Sequence, residues 1–163
     1  MRPEPEPAGP GQESVWSYPR PPLVERVCRR AVLRHGGLLL ADTDDLVRVC
    51  ETSHPPTYYL PRTAFDPSVL VAGHGRTFCE WKGVAGYVDL LVPGVPPLAG
   101  VGWWYPESSH PELTGRVALY AGPVDEVSID GEPVTPQPGG LYGGWITPDV
   151  VGPFKGGPGS NWW

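Results

Sequence analysis

The chain has 163 residues, which is the length of one domain. Its formal net charge is −6, and its only dense group of positive residues, at 26–34, is interrupted by apolar positions, so we do not expect nucleic acid as a partner. Glycine and proline are abundant, at 22 and 23 residues, but seven tryptophans and seven tyrosines require a core that buries them. No apolar run is long enough to span a membrane, and the first residues lack the apolar segment of a secretory signal, so we expect a soluble cytoplasmic protein.

The sequence divides into a tail, a β domain and an arm. Residues 1–22 are rich in proline and form a predicted extended tail that docks only through Trp16 and Tyr18. Residues 23–135 form the predicted β domain, whose short apolar runs are separated by glycine, proline and serine. In residues 136–163 glycine and proline alternate with large apolar side chains, so we expect this arm to pack on the β domain.

The spacing of the apolar runs predicts an all-β fold. The Gly-Gly sequence at 36–37 lies between two such runs and is typical of a hairpin turn. Residues 46–51 fit either a short strand or about one and a half turns of helix, and their β-branched side chains favour the strand. The proline-flanked segment 58–60 also favours a strand. A further hairpin turn is predicted at 130–131, where the sequence is Asp-Gly. The other predicted strands follow at roughly ten-residue intervals, at 78–81, 85–92, 98–105, 116–120 and 124–129.

The densest group of chemically useful side chains lies at residues 51–61, which three prolines stiffen. A rigid segment holds its polar groups in fixed positions, as a site requires. His54 exchanges protons near neutral pH, and we predict it as a general acid or base, with the Tyr58 hydroxyl as a catalytic hydrogen-bond donor. Ser53 and Tyr59 are predicted ligand contacts. The alternative is structural, with the imidazole and hydroxyls bonded to local backbone and the tyrosines in the core.

A second group surrounds Lys82. If this segment is a strand, Cys79 and Trp81 share one face, while Lys82 shares the other with Glu80. A desolvated lysine serves as a base or as an anchor for a carboxylate or phosphate, so we predict Lys82 as catalytic and Trp81 as a ligand contact. Cys79 is a nucleophile if an adjacent cation favours its thiolate. The alternatives are a solvent-facing Lys82 paired with Glu80 or Glu51, and an inert Cys79.

A third group is aromatic and lies at residues 102–106. Strand alternation sends Trp103 and Tyr105 to one face and Trp104 to the other. Large aromatic side chains on one face either floor a ligand pocket or fill a core. Seven tryptophans are more than one small core easily uses, so we predict all three of these residues as ligand contacts.

Several other kinds of site are not supported. Cys28, Cys50 and Cys79 have no C-x-x-C spacing, which favours reduced thiols over a disulfide framework or a zinc site. The glycines around Lys155 do not form a phosphate-binding loop, because the required strand, loop and helix are not indicated there. We therefore expect no metal and no cofactor.

Six segments together resemble the domain-of-unknown-function family 427. They are ETSHPPTYY at 51–59, CEWKGVA at 79–85 followed by Tyr87, WYP at 104–106, VALY at 117–120, PQPGG at 136–140 and GPFKG at 152–156. The similarity covers nearly the whole chain after Val15. On these motifs the chain is identified as a member of that family.

The resemblance implies a mainly β fold, a small antiparallel two-sheet domain similar to the Mss4-like or β-tent proteins. Many of those relatives hold zinc through two C-x-x-C pairs, which this sequence lacks. Some bind small molecules in an aromatic pocket, and the corresponding candidates here are Trp81, Trp103 or Trp104, and Tyr58 or Tyr59. Some members of the family carry the label nucleotidyltransferase, although neither a metal-binding carboxylate pair nor a phosphate loop is recognisable here.

Three functional hypotheses follow. The leading one is a domain that binds a small polar metabolite in an aromatic cavity, where Lys82 and His54 anchor it or move a proton. The second is a protein-interaction domain whose proline-rich tail binds a partner and whose Trp162 and Trp163 dock on a partner or a second copy of the chain, making a homodimer. The third is the nucleotidyl transfer that the family label suggests. The first requires Lys82 and His54 to reach the walls of one cavity.

Overall fold

Residues 2–79 and 81–163 are described by a computed structural model, in which nearly all regular structure is β-strand. The strands in chain order are β1 (Glu13–Ser14), β2 (Leu23–Val27), β3 (Ala31–His35), β4 (Leu38–Thr43), β5 (Leu46–Cys50), β6 (Thr57–Pro61), β7 (Leu70–Cys79), β8 (Gly83–Leu90), β9 (Leu98–Trp104), β10 (Arg116–Leu119), β11 (Glu126–Ile129), β12 (Glu132–Pro133), β13 (Thr135–Pro136), β14 (Trp145–Ile146) and β15 (Val150–Val151). Single-turn 3-10 helices occur at Val15–Ser17, Arg62–Ala64 and Pro111–Leu113. In this described part of the chain, no helix has the length and apolar character that crossing a membrane requires.

Two antiparallel sheets form the body of the molecule. The larger has seven strands in the order β2-β5-β6-β10-β9-β8-β7, and the smaller has four in the order β12-β11-β3-β4. Two short pairs complete the structure: β13 with β14, and β1 with β15, which is a parallel pair. The prediction of a mainly β, antiparallel, two-sheet domain is confirmed.

Both predicted hairpin turns form where the sequence indicates them, whereas one predicted strand ends earlier than expected. Gly36 and Gly37 both have positive φ and join β3 to β4. Asp130 and Gly131, with φ of 51° and 80°, form the turn between β11 and β12, as an Asp-Gly turn with two left-handed residues does. The strand predicted at 78–81 extends one residue too far at Trp81, and the strand pattern considered for Lys82 does not apply, because residues 81–82 form the turn between β7 and β8. Residue 80, within the same predicted strand, lies outside the described residues.

The main core lies between the two sheets. One face of the seven-stranded sheet contributes mainly leucine and valine, and the four-stranded sheet covers it with residues such as Leu33 and Ile129, both 0 % exposed. Alternation along each strand sends the neighbouring side chains to the opposite face of the large sheet. That outer face has its own apolar cluster, which includes Tyr59, Ala85 and Ala118. The four-stranded sheet therefore covers only one face of the large sheet, and another part of the chain must cover the outer face.

The arm provides that cover and also extends into the main core. Trp145 is 0 % exposed, belongs to the main core and donates its indole N–H to the carbonyl of Leu119 at 2.9 Å. Gly139 and Gly156 approach each other so closely that a Cβ at Gly139 would lie 1.9 Å from the carbonyl oxygen of Gly156. The glycines thus permit backbone contacts that larger residues would prevent.

The N-terminal segment docks more extensively than the sequence predicts. Trp16 is buried and donates its indole N–H to the carbonyl of Pro153 at 2.9 Å. Besides the Trp16 and Tyr18 side chains, strand β1 pairs with β15 and the Glu6 amide bonds to the Gly152 carbonyl. The expectation that only two side chains dock is wrong, because backbone pairing in this proline-rich segment was not visible in its composition.

Candidate functional site

A cavity of ≈ 320 Å³ opens between the outer face of the seven-stranded sheet and the arm; we call it the sheet–arm cavity. The sheet side comes from strands β5 to β9 and the segments that follow β5, β7, β9 and β10. The arm side comes from residues 137–155. Its lining residues are Val49, Glu51, His54, Thr57, Thr77, Lys82, Ala85, Tyr87, Trp103, Tyr105, Tyr120, Gln137, Leu141, Tyr142, Gly143 and Lys155. Segments distant in sequence thus meet at one concave surface.

His54 lies in a short turn between β5 and β6 that fixes its direction. Ser53, before it, has a left-handed φ of 73°, and the His54 amide bonds to the Glu51 carbonyl at 3.0 Å. The two prolines that follow keep the chain extended toward β6. This turn places the Glu51 carboxylate and the His54 imidazole on the same side, with Oε2 and Nε2 3.3 Å apart.

Both ring nitrogens of His54 are engaged. The Gln137 side-chain amide donates to Nδ1 at 3.0 Å. A neutral imidazole that accepts at Nδ1 carries its proton on Nε2, so Nε2 donates to Glu51. This hydrogen bond, opposed by partial burial and supported by nearby cations including Lys82, holds the pKa of Glu51 below its ordinary value. Both polar atoms of the His54 ring therefore have partners within the protein.

Gln137 connects the arm to this pair. It is 4 % exposed, and the same Nε2 that faces His54 also donates to the Lys155 carbonyl at 2.9 Å. Its Oε1 accepts from the Gly144 amide at 3.0 Å. All polar atoms of this buried side chain therefore have partners, as a buried amide needs. Tyr142 packs edge-on against the His54 ring with centroids 4.7 Å apart.

Two ammonium groups face the cavity from different sides. Lys82, in the turn after β7, places Nζ 5.9 Å from the Tyr105 ring centroid and 6.0 Å from that of Trp81. Lys155, in the arm, places Nζ 5.7 Å from the Tyr142 ring centroid and donates at 3.2 Å to the main-chain oxygen of Trp163, the last residue of the chain. These distances lie within the range of cation–π attraction.

The aromatic floor is organised by Trp103. Its indole N–H donates to the Tyr59 hydroxyl at 3.1 Å, and Tyr120 packs against its ring with centroids 5.1 Å apart. On the arm side of the cavity, Gly143 approaches the Trp103 ring so closely that a Cβ added to this glycine would lie 2.4 Å from the ring. Burial raises the pKa of both Tyr59 and Tyr105, so both hydroxyls remain protonated donors at neutral pH.

The structure brings together four of the predicted site residues. His54, Lys82, Trp103 and Tyr105 line the sheet–arm cavity. Tyr59 lies directly beneath it through its bond to Trp103. Trp81 lies beside Lys82 and packs on His110 with ring centroids 4.0 Å apart.

Two predicted site residues lie on the opposite face of the sheet. Tyr58 is in the main core, stacks on Trp145 with centroids 5.5 Å apart, and its hydroxyl accepts from Arg29 at 3.1 Å. Trp104 also packs on the main core, and the Arg62 guanidinium lies 4.1 Å from its ring centroid. Neither residue lines the sheet–arm cavity. The physical reason is strand alternation, which separates each of these residues from its aromatic neighbour in sequence.

Ser53 and Cys79 also lie outside the cavity lining. Ser53 is 0 % exposed, and its Oγ has no hydrogen-bond partner. Its backbone, not its hydroxyl, makes the local contacts: its amide bonds to the Val15 carbonyl and its carbonyl accepts from the Lys155 amide. Cys79 is a half-buried free thiol at the end of β7.

The sequence offered Glu51 and Glu80 as alternative ion-pair partners of Lys82, and the structure describes one of these two, Glu51. Glu51 pairs with His54 instead, and within residues 2–79 and 81–163 no carboxylate forms an ion pair with Lys82. The alternative partner Glu80 lies outside those residues. In the same part of the chain, no three His, Cys, Asp or Glu side chains come together in a way that suits a metal ion.

The sequence did not indicate the side chains that the arm contributes to the site. Gln137, Tyr142 and Lys155 lie in a glycine- and proline-rich segment without periodicity, so no pattern indicates where their side chains point. One signal was available: Lys82 and Lys155 are the only two lysines in the chain. The spacing of Glu51 and His54, three residues apart in a proline-stiffened turn, was a second signal.

Comparison with protein-family models gives one match. Residues 23–130 match the model of a family described as "Domain of unknown function (DUF427)". The match ends before the arm, so Gln137, Tyr142 and Lys155 lie beyond it. Comparison with curated proteins gives no match.

Proposed function

The chain belongs to the DUF427 family, and we propose that it binds a small polar metabolite carrying negative charge in the sheet–arm cavity. One observation carries the proposal: Lys82, His54 and several aromatic rings, from segments far apart in sequence, line a single concave space. Aromatic walls with a few convergent polar groups are the usual construction of small-molecule sites. The positive charges of two lysines favour an anion over a neutral or cationic ligand.

The side chains have distinct roles in this proposal. Lys82 is the electrostatic anchor, since an ammonium held over aromatic rings in a half-buried position attracts a carboxylate or phosphate. The Tyr105 hydroxyl is a hydrogen-bond donor beside it. His54 is held by Glu51 and Gln137, so it shapes the polar end of the cavity in the resting protein. If the protein is an enzyme, His54 acts as the acid or base only after a ligand displaces one of those contacts.

The size of the cavity bears on the family label of nucleotidyltransferase. A volume of ≈ 320 Å³ corresponds to about ten water molecules at roughly 30 Å³ each, and hence to an organic ligand of about ten to fifteen non-hydrogen atoms. A nucleoside triphosphate has about thirty such atoms. This comparison supports a small metabolite over a nucleotide as the occupant of the cavity in this conformation.

We also propose a cytoplasmic location. All three cysteines are free thiols, and Cys28 is exposed. Exposed free thiols persist in reducing compartments and are oxidised elsewhere.

Tryptophan fluorescence tests the binding proposal, because Trp103 forms part of the cavity wall. The protein is titrated with a panel of small carboxylates, sugar phosphates and nucleotides. Lys82→Met keeps most of the alkyl chain but removes the charge, and Arg34→Met, at an exposed position, is the control for losing one positive charge elsewhere. We expect binding of small anions that Lys82→Met weakens at least tenfold and Arg34→Met leaves unchanged.

Two results would count against the proposal. One is an unchanged emission across the entire panel, with no heat of binding by calorimetry. The other is equal binding by the wild type and both variants. Pyrophosphate release from a nucleoside triphosphate in the presence of Mg²⁺ would support nucleotidyl transfer instead.

A further inference from the structure

The chain's only two lysines line the same cavity. Lys82 and Lys155 are 73 residues apart in sequence, and every other basic residue apart from histidine is an arginine. No arginine in the described part of the chain lines the cavity. Lys82 comes from a turn at the end of the large sheet, and Lys155 comes from the arm. The two charges therefore belong to two different structural units that meet there.

The lining of the cavity offers these lysines few side-chain carboxylates. Within residues 2–79 and 81–163, the only carboxylate among the lining residues is that of Glu51, which His54 holds at 3.3 Å. An ammonium has three donors, and that of Lys155 uses one of them at 3.2 Å on the main-chain oxygen of Trp163, the last residue of the chain, where this oxygen is part of the terminal carboxylate. Donors on both lysines therefore remain for a ligand.

The shape of the cavity adds a second constraint. Rings of Trp103, Tyr105, Tyr120 and Tyr142 are among its walls. Flat ligands gain from stacking or edge contacts with such rings. The cavity volume of ≈ 320 Å³ suits a ligand of about ten to fifteen non-hydrogen atoms, taking roughly 30 Å³ for each water that the ligand displaces.

Building on the proposed function, we infer that the ligand is a flat dicarboxylate, with one carboxylate bound by Lys82 and the other by Lys155. Two separated anionic groups match two ammoniums that approach from different walls, and a ring between them contacts the aromatic side chains. Such a ligand joins the arm to the sheet. Lys155, outside the family-matched residues, is then the residue that distinguishes a dicarboxylate from a monocarboxylate.

A lysine-specific NMR experiment tests this inference in the full chain. Reductive methylation with ¹³C-formaldehyde gives each lysine a dimethylammonium signal and preserves its positive charge. Lys82→Met and Lys155→Met assign the two side-chain signals. The titrants are phthalate, isophthalate and terephthalate, which differ only in the spacing of their carboxylates. Benzoate serves as the one-carboxylate control, and phenyl phosphate as the control with up to two charges on one group.

We expect at least one phthalate isomer to shift both lysine signals along the same binding curve and to bind at least tenfold more tightly than benzoate. In each lysine variant, that advantage over benzoate should fall to about twofold or less. Thermal unfolding of both variants checks that they fold, and the wild-type titration does not depend on them.

The possible failures are distinguishable. If benzoate binds as tightly as every dicarboxylate, or if only one lysine signal shifts, the dicarboxylate inference is wrong while anion binding stands. If phenyl phosphate binds more tightly than every dicarboxylate, the site takes one highly charged group and the inference is also wrong. If no anion in this set or in the fluorescence panel binds, the proposed function itself fails.

Discussion

The two faces of the seven-stranded sheet carry similar rings in different surroundings. The doublet at residues 58–59 places Tyr58 in the main core and Tyr59 beneath the cavity. The doublet at 103–104 places Trp103 in the cavity wall, whereas Trp104 packs on the main core. On the inner face a second sheet of aliphatic side chains completes the packing. On the outer face the cover is an arm of glycine, proline and polar residues.

This difference shows how one sheet supports both stability and a binding surface. On the inner face, aliphatic side chains of the two sheets pack together in one core cluster, as closely packed protein interiors do. The arm instead approaches at a few points, such as Gly143 over Trp103, and leaves ≈ 320 Å³ between them. The charged and hydroxyl groups lie where the cover is incomplete, since burial without partners would be costly there.

The largest expected effect comes from the residue with which the arm enters the inner face. Trp145 is 0 % exposed, and Trp145→Ala should lower the free energy of unfolding by about 3–5 kcal/mol, as loss of a buried tryptophan does. Trp162, which is 90 % exposed, provides the matched control, and Trp162→Ala should stay within about 0.5 kcal/mol of the wild type. Urea denaturation measures both. Equal stabilities of the two variants would mean that Trp145 does not anchor the arm.

A smaller effect should separate the two tyrosines of the doublet. Tyr58→Phe removes one acceptor from Arg29, which keeps Asp130 and Asp149 as partners. Tyr59→Phe removes the acceptor of the Trp103 indole N–H, and with it the hydrogen bond that helps to hold this ring in the cavity wall. Each variant should cost about 0.5–1.5 kcal/mol of stability for one lost hydrogen bond.

Only Tyr59→Phe should weaken anion binding, by several-fold, in the fluorescence titration. The residue pair is its own control, because the chemical change is identical on the two faces. The same loss of affinity in both variants would contradict the separation of a structural and a binding face.

The smallest expected effect is the pH dependence of stability that comes from the Glu51–His54 pair on the outer face of the large sheet. The His54 hydrogen bond holds the pKa of Glu51 below its ordinary value of 4.5. The pair therefore contributes stability that is complete above about pH 4.5 and is lost as the pH falls through the lowered pKa. Glu51→Gln removes the titrating group, so acidification from pH 6 to pH 3.5 should destabilise this variant less than the wild type.

Thermal melts at the two pH values measure the difference. Glu112→Gln, at an exposed site, controls for the loss of one negative charge. An identical acid sensitivity in the Glu51 variant and the wild type would show that the Glu51–His54 contact contributes nothing to stability.

The sequence permitted prediction of the sheet and of its side of the cavity. Strand alternation correctly separated Trp103 and Tyr105 from Trp104, because a strand repeats every two residues. The same rule failed at residues 81–82, where the chain turns and Lys82 no longer follows the strand pattern. Applied to the 58–59 doublet, alternation would have left only one of the two tyrosines in the predicted site, and the structure identifies it as Tyr59.

The arm could not be predicted in the same way. Its path depends on hydrogen bonds to other segments, such as that from Gln137 to His54, and on bonds within the arm, such as that between Gln137 and Gly144. No periodic pattern in the sequence of the arm indicates these contacts. Glycine-rich backbone adopts many conformations, so tertiary contacts decide where Tyr142 and Lys155 point. The family-matched residues end before this segment.

Chemical cross-linking of the two lysines tests most directly whether the sheet and the arm form one cavity. An amine-reactive reagent with a short spacer is applied to dilute protein, and the monomer is digested and mapped by mass spectrometry. The account requires an intramolecular link between Lys82 and Lys155 that disappears in Lys82→Met. Single modification of both lysines without any link between them would contradict the shared cavity and the binding function built on it.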